Sequence, residues 1–386
     1  MYIIVEKYGC AAFMIYETTN YYYILIIKNS ILDGIMNFIK TLNGEITKTP
    51  PIWIMRQAGR YMQIYRNVRS TEKNFIEFCL NPEKASNVTC QPIQKFGMDA
   101  AIIFSDILLV LHMMKYQVTF IKNEGPKLHK LNLGVPLLSP KWDIYLENLK
   151  PVSKAIKLTR VKLDKCENTK DTPIIGFSGS PWTLFTYLTE GGSSKDFPNA
   201  RKFLWADHAN SKQIFDILTQ AIIHFLELQI KAGVNAIMLF DSWAGSIPAR
   251  FRNEFVYQPT KIITQTLRKK YLHIPIICLP KSIGEGIVEF VDIVQPNCVA
   301  VDHLTDIEFV HKSISKEIVI QGNIDPLCLV TGGDVLKKEV DYLLNLITDR
   351  PYIFNLGHGI VPETPEQNVA EIISYIREKN IGLSNS

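Results

Sequence analysis

Pro51–Arg69 reads PIWIMRQAGRYMQIYRNVR. Two prolines, Pro50 and Pro51, lead into a short apolar run, Ile52–Met55, and Arg56 stands where that run ends. Apolar runs of this length read as buried strands. Working outward, the same event recurs along the chain. DAAIIF (99–104) ends in Ser105-Asp106, PIIGF (173–177) in Ser178, and NAIMLF (235–240) in Asp241-Ser242. Ile274–Leu279 is a further run. Cys298–Val301 ends in Asp302, Glu317–Gln321 in Gly322-Asn323, and Tyr352–Asn355 just before Gly357-His358-Gly359. That makes eight strands, mostly alternating with helical stretches, and alternation of this kind means a parallel sheet. The predicted fold is α/β, a single (β/α)8 TIM-type barrel, with the polar residues at the strand ends facing one mouth. A doubly wound open sheet is the alternative, but no GxGxxG follows a strand.

Several helices carry their own end signals. Asn81-Pro82 starts one that Gly97 ends, Gly233 closes another spanning about 211–232, and Thr364 is the expected cap of the last, about 365–379. A Gly125-Pro126 turn predicts a hairpin excursion. Residues 46–386 are assigned to the barrel. Residues 1–45 are assigned to an extension, either irregular or a targeting segment. Ile31, Ile35, Phe38, Ile39 and Leu42 already recur there at helical spacing. The apolar runs of the extension are too short to span a bilayer, so no membrane insertion is expected.

The chain of 386 residues is 47% apolar and carries a net charge of only +4, which does not point to nucleic acid. Seven scattered cysteines show neither a CxxC pair nor zinc-ligand spacing, so no zinc site is expected. Basic function must therefore be local. Arg56, Arg60, Arg66 and Arg69 have no acidic neighbour before Glu72. A solvated basic helix would explain them, but Gly59 is a poor helix residue and permits close backbone approach. The stretch reads as a polyanion-binding loop. Asp106 is either a helix cap or a carboxylate facing those arginines and held ionised by them. His358, between two glycines, is either structural or open to a ligand. In 176–194, GFSGSPWTLFTYLTEGGSS, Phe177 and Tyr187 belong either to packing or to a cleft wall. Asp241-Ser242-Trp243 is either a cap or a ligand contact.

PIWIMRQAGRY (51–61) and GFSGSPWTLFTYLTEGGSS (176–194) resemble the two signatures of the uroporphyrinogen decarboxylase family. IIFSDIL (102–108), LFDSWAG (239–245), IQGNIDP (320–326) and FNLGHGIVPETP (354–365) support the match. The resemblance implies a homodimeric (β/α)8 barrel that needs no cofactor. It implies removal of the carboxyls from the four acetate side chains of uroporphyrinogen III, giving coproporphyrinogen III. It implies catalytic roles for Asp106, Arg56 and Tyr187. Substrate contacts would come from Arg56, Gln57, Ala58, Arg60, Arg69 and Asp106, and from Phe177, Tyr187, Ser242 and His358. The chain departs from the family at Gln63-Ile64, where Pro-Glu is usual. A corrinoid-dependent methyltransferase and a non-catalytic tetrapyrrole binder are the competing readings. The location implied is a plastid-type organelle, with cytoplasm as the alternative.

Overall fold

The computed structural model describes residues 37–121 and 124–379. Ile31 and Ile35 lie outside the described residues. Phe38 and Leu42, in a helical turn at 37–42, are buried in the same core as the barrel. Seven parallel strands form one sheet: β1 (Ala101–Ile102), β4 (Ile174–Gly179), β5 (Ala236–Asp241), β6 (Ile276–Pro280), β7 (Cys298–Ala300), β8 (Val319–Gln321) and β9 (Tyr352–Ile353), hydrogen-bonded in that order. Their side chains are almost all buried, as expected of parallel strands covered on both faces.

The eighth position belongs to the Pro51 segment, and it closes the ring. Ile52 pairs in parallel with Phe354 as a single bridge. Phe354 N donates to Pro51 O at 3.0 Å, and on the other side Asp99 N donates to Ile52 O at 2.8 Å. The expected strand is this short because side chains take over as acceptors for its amides. Asp99 Oδ2 accepts from Ile52 N at 2.7 Å, Gln57 Oε1 from Ile54 N at 3.1 Å, and Asn355 Oδ1 from Met55 N at 3.1 Å. Every buried amide thus finds an acceptor, which a continuous ladder would otherwise supply.

Some helices follow their end signals and others do not. Pro82–Phe96 is capped by Asn81 and ends at Gly97 in the left-handed region. His208–Ala232 ends likewise at Gly233. The last helix, Glu366–Glu378, starts from Pro365 rather than from a Thr364 cap: the Thr364 hydroxyl is buried without a partner among the described residues. Helix Pro198–Ala206 and the π-helical turn Asn253–Tyr257 have no counterpart in the sequence reading. The hairpin exists, as β2 (Val118–Ile121) and β3 (Gly125–Leu128), but Gly125 and Pro126 lie within its second strand. It braces the mouth. Leu128 N donates to Gly191 O at 3.0 Å and Leu131 N to Leu188 O at 2.8 Å, which fixes the end of helix Pro181–Glu190, the carrier of Tyr187.

Candidate active site

The carboxyl ends of the strands bring the candidate residues together. Arg56 follows the first strand position and has φ of 63°, a left-handed conformation uncommon for a non-glycine residue. Its side chain lies against Gly359, where an added Cβ would come within 2.4 Å of Arg56 Cδ. The obstructing atoms belong to a flexible side chain, so Gly359→Ala should displace Arg56 and spare the fold. We expect a loss of activity of about tenfold or more with little change in melting temperature, checked by steady-state kinetics beside thermal denaturation.

Asp106 is on the neighbouring strand position, adjacent to Arg56 rather than across the mouth. Leu108 N donates to its Oδ1 at 2.8 Å. Burial pushes its carboxyl up to about 6, against the opposing pull of the Leu108 amide and of Arg56. Desolvation thus outweighs Arg56 at this group. At neutral pH it is still about nine-tenths ionised. Tyr187 is within the field of both: burial raises its phenol, the Asp106 carboxylate adds to this, and Arg56 opposes it. Its ring meets Trp243 edge-on at 6.4 Å.

His358 faces the same group of charges. Burial lowers it to about 4, with Arg56 and then Lys281 adding to the effect. It is a neutral hydrogen-bonding group at pH 7, not a cation. Phe177 is buried with its ring edge-on to Phe240, at 5.5 Å between centroids. Ser242, half-buried, directly follows β5.

Three of the named residues have side chains in contact with other parts of the protein. Gln57 is fully buried, its Nε2 donating to Ala100 O at 3.0 Å while its Oε1 holds Ile54 N. It joins the first strand to β1, so its side chain positions the loop. Arg69 has its guanidinium over the rings of Phe75 and Phe78, 5.7 Å from each centroid, and donates to Glu72 O. Ala58 packs partly buried against the core. Arg60 is exposed, and its carbonyl accepts from Arg66 Nη1 at 2.7 Å. At the family departure, Gln63 starts a helix to Arg69, and Glu366 of the last helix accepts from Gln63 N at 2.7 Å. Ile64 is exposed. The carboxylate missing from this loop is thus supplied at its helix start by a distant residue.

The sequence reading left Asp241 open and passed over Lys281. Asp241 is buried, with Oδ1 accepting from Thr183 Oγ1 at 2.6 Å, and burial pushes it up to about 7. Thr183 Oγ1 in turn accepts from Trp243 N at 3.2 Å, so Asp241 fixes the segment bearing Ser242 and Trp243. The signal for Lys281 was available, since it directly follows a strand. Among the described residues no group of three or more His, Cys, Asp or Glu is arranged to hold a metal ion, and no helix is long and apolar enough to cross a membrane.

A closed parallel barrel whose mouth sets Arg56 beside one desolvated carboxylate defines a (β/α)8 enzyme for a polycarboxylate. Residues 35–379 match the family model described as uroporphyrinogen decarboxylase, and the chain belongs to the uroporphyrinogen decarboxylase family of carboxy-lyases. It is 40% identical over 349 residues to a uroporphyrinogen decarboxylase of Rickettsia bellii, covering 89% of this chain and 99% of the relative. It is 39% identical over 344 residues to one of Cereibacter sphaeroides, covering 88% and 98%. Among solved structures, a methyltransferase from Methanosarcina mazei superposes with TM-score 0.72 at 19% identity, over 88% of this chain and 97% of that one. That likeness concerns the fold alone.

Proposed function

We propose that this protein decarboxylates the four acetate side chains of uroporphyrinogen III to give coproporphyrinogen III in porphyrin biosynthesis, using no metal or organic cofactor. The observation that carries it is Asp106: a desolvated carboxylate at the barrel mouth, within the field of Arg56. The chemistry asks for this pair. An acetate on a pyrrole has no electron sink until a ring carbon is protonated. Protonation makes the ring cationic and iminium-like. The C–C bond to the carboxylate then breaks, its electron pair neutralises the ring, carbon dioxide leaves, the new methylene carbon takes a proton to become methyl, and the ring carbon gives up the proton it first received, which restores the pyrrole.

Asp106 accepts hydrogen bonds from pyrrole N–H groups and stabilises the positive ring, an effect strengthened by low local dielectric. Arg56 and Arg60 hold carboxylates in bidentate fashion. A guanidinium is a poor acid, so Arg56 orients an acetate or a proton-carrying water rather than giving up its own proton. Tyr187 and Ser242 offer hydroxyls, His358 offers a neutral imidazole, and Phe177 offers a face for the macrocycle.

The test is incubation of the purified protein with uroporphyrinogen III under anaerobic, metal-free conditions, following product carboxyl number by chromatography. Stepwise loss of four carboxyls is expected; retention of all eight with tight binding would leave a tetrapyrrole binder instead. The pH profile gives a second check. Asp106 acts ionised and has its carboxyl raised to about 6, so kcat/KM should fall as pH drops through about 6, not through about 4. His358 is neutral throughout that range, so His358→Asn should leave this acid limb in place.

The family resemblance also supports a homodimer, to be checked by sedimentation equilibrium. A plastid-type location is a separate proposal resting on residues 1–45, most of them outside the described residues. The relatives named above are bacterial, which favours cytoplasm. Comparing the N-terminus of the protein isolated from cells with Met1 separates the two.

A further inference from the structure

We propose that Lys281 is the far-rim anchor of the substrate, a cation that holds a carboxylate of the polycarboxylate ring opposite the Arg56–Arg60 loop; this rests on the function proposed above. The ring order carries the geometry. Counting from the first strand through β1, β4 and β5, β6 is fifth of eight and stands diametrically across the mouth from Arg56. Lys281 directly follows β6. It is half-buried, and its Nζ lies 5.9 Å from the centre of the Trp243 ring. No described carboxylate pairs with it. Its charge nonetheless reaches His358, which also feels Arg56 and His303, so the rims are near enough to act on one ligand.

The backbone around Lys281 is fixed. Its amide donates to Asp241 O at 3.1 Å, and its carbonyl accepts from Gly245 N at 2.9 Å. Gly245 has no room for a Cβ, which would come within 2.2 Å of Ser282 O. Ser282, with φ of 62°, donates its amide to Asp302 Oδ2 at 2.7 Å. Nearby, His303 Nδ1 is buried without a hydrogen-bond partner among the described residues. A half-buried cation without a counter-ion among the described residues, on a rigid support, suits an incoming anion.

A macrocycle with carboxylates around its whole perimeter explains why one rim is insufficient. Arginines on the first strand position engage one side, beside Asp106, where the reacting acetate sits. Carboxylates on the far side would otherwise be desolvated against Trp243 without a cation. As a point charge on a flexible stem, a lysine can accept either an acetate or a propionate as the ring turns between successive decarboxylations.

The test is a fluorescence titration with uroporphyrin III, the oxidised octacarboxylate, on wild type, Lys281→Met and Lys281→Arg, alongside anaerobic turnover of uroporphyrinogen III. We expect Kd and KM to rise about tenfold in Lys281→Met, with recovery in Lys281→Arg and little change in kcat. The salt dependence of binding should also weaken in Lys281→Met, a readout that a merely structural role would not move. Unchanged Kd in Lys281→Met, or a fall in kcat alone, overturns the assignment. If wild type binds the porphyrin yet releases no carbon dioxide, the decarboxylase reading fails, while Lys281 is still judged by the titration.

Discussion

Replacing Asp106 by asparagine is expected to lower the saturated rate about a thousandfold, roughly 4 kcal/mol of transition-state stabilisation, the range seen when an electrostatic group at a developing charge is removed. Asparagine keeps the shape and an oxygen that can accept from Leu108 N, now at 2.8 Å, so the loop should stay in place. What disappears is the negative charge. The carboxylate must balance a cation that exists only after ring protonation, so its loss falls on kcat rather than on ground-state binding. Tyr187 offers an internal control: with the Asp106 charge gone, one cause of its raised phenol vanishes and its titration should move down. Single-turnover decarboxylation, read as product carboxyl number, checks the rate. Wild-type turnover in the variant would remove Asp106 from the mechanism.

Removing Arg377 is expected to be the most damaging change for stability outside the mouth. Asp99 is fully buried, and burial raises its carboxyl against the charge and hydrogen bond of Arg377. Arg377 Nη2 meets Asp99 Oδ1 at 2.8 Å and also donates to Gly97 O. The other carboxylate oxygen holds Ile52 N at the point where the barrel closes. Arg377→Ala leaves that carboxylate buried without its cation, a change that costs about 3–5 kcal/mol. Urea denaturation gives the measurement. An Asp99→Asn, Arg377→Met double variant should lose less than the sum of its single changes, because the two groups interact directly. A loss below about 1 kcal/mol in Arg377→Ala would mean that water or another group already satisfies Asp99.

These two expectations differ in how far the sequence could have led to them. Asp106 was legible because it follows an apolar run, and in a parallel barrel a polar residue after such a run faces the mouth. The same logic placed Arg56, Ser242 and His358. The pairing of Asp99 with Arg377 was not legible, since the residues are far apart in the chain and join only when the last helix packs beside the first strand. The side-chain partners of Gln57 were not legible for a similar reason. Its neighbours Arg56 and Ala58 suggested a substrate contact, yet its amide serves the junction between the first strand and β1. Arg69 shares the loop but is held over Phe75 and Phe78.

The sequence by itself determined the barrel, the order of its strands and the family. Those follow from local information: apolar period, caps, and the residue standing at each strand's end. The tertiary structure decided protonation and partnership. Whether Asp106 titrates near 3.9 or about 6 depends on how much protein surrounds it, and burial prevailed over Arg56. His358 is held neutral first by burial and then by Arg56 and Lys281, which only ring closure brings to its side. Lys281 stands opposite Arg56 because four strand positions make half a turn of an eight-position ring. Such placements depend on contacts remote in sequence, and no local pattern encodes them.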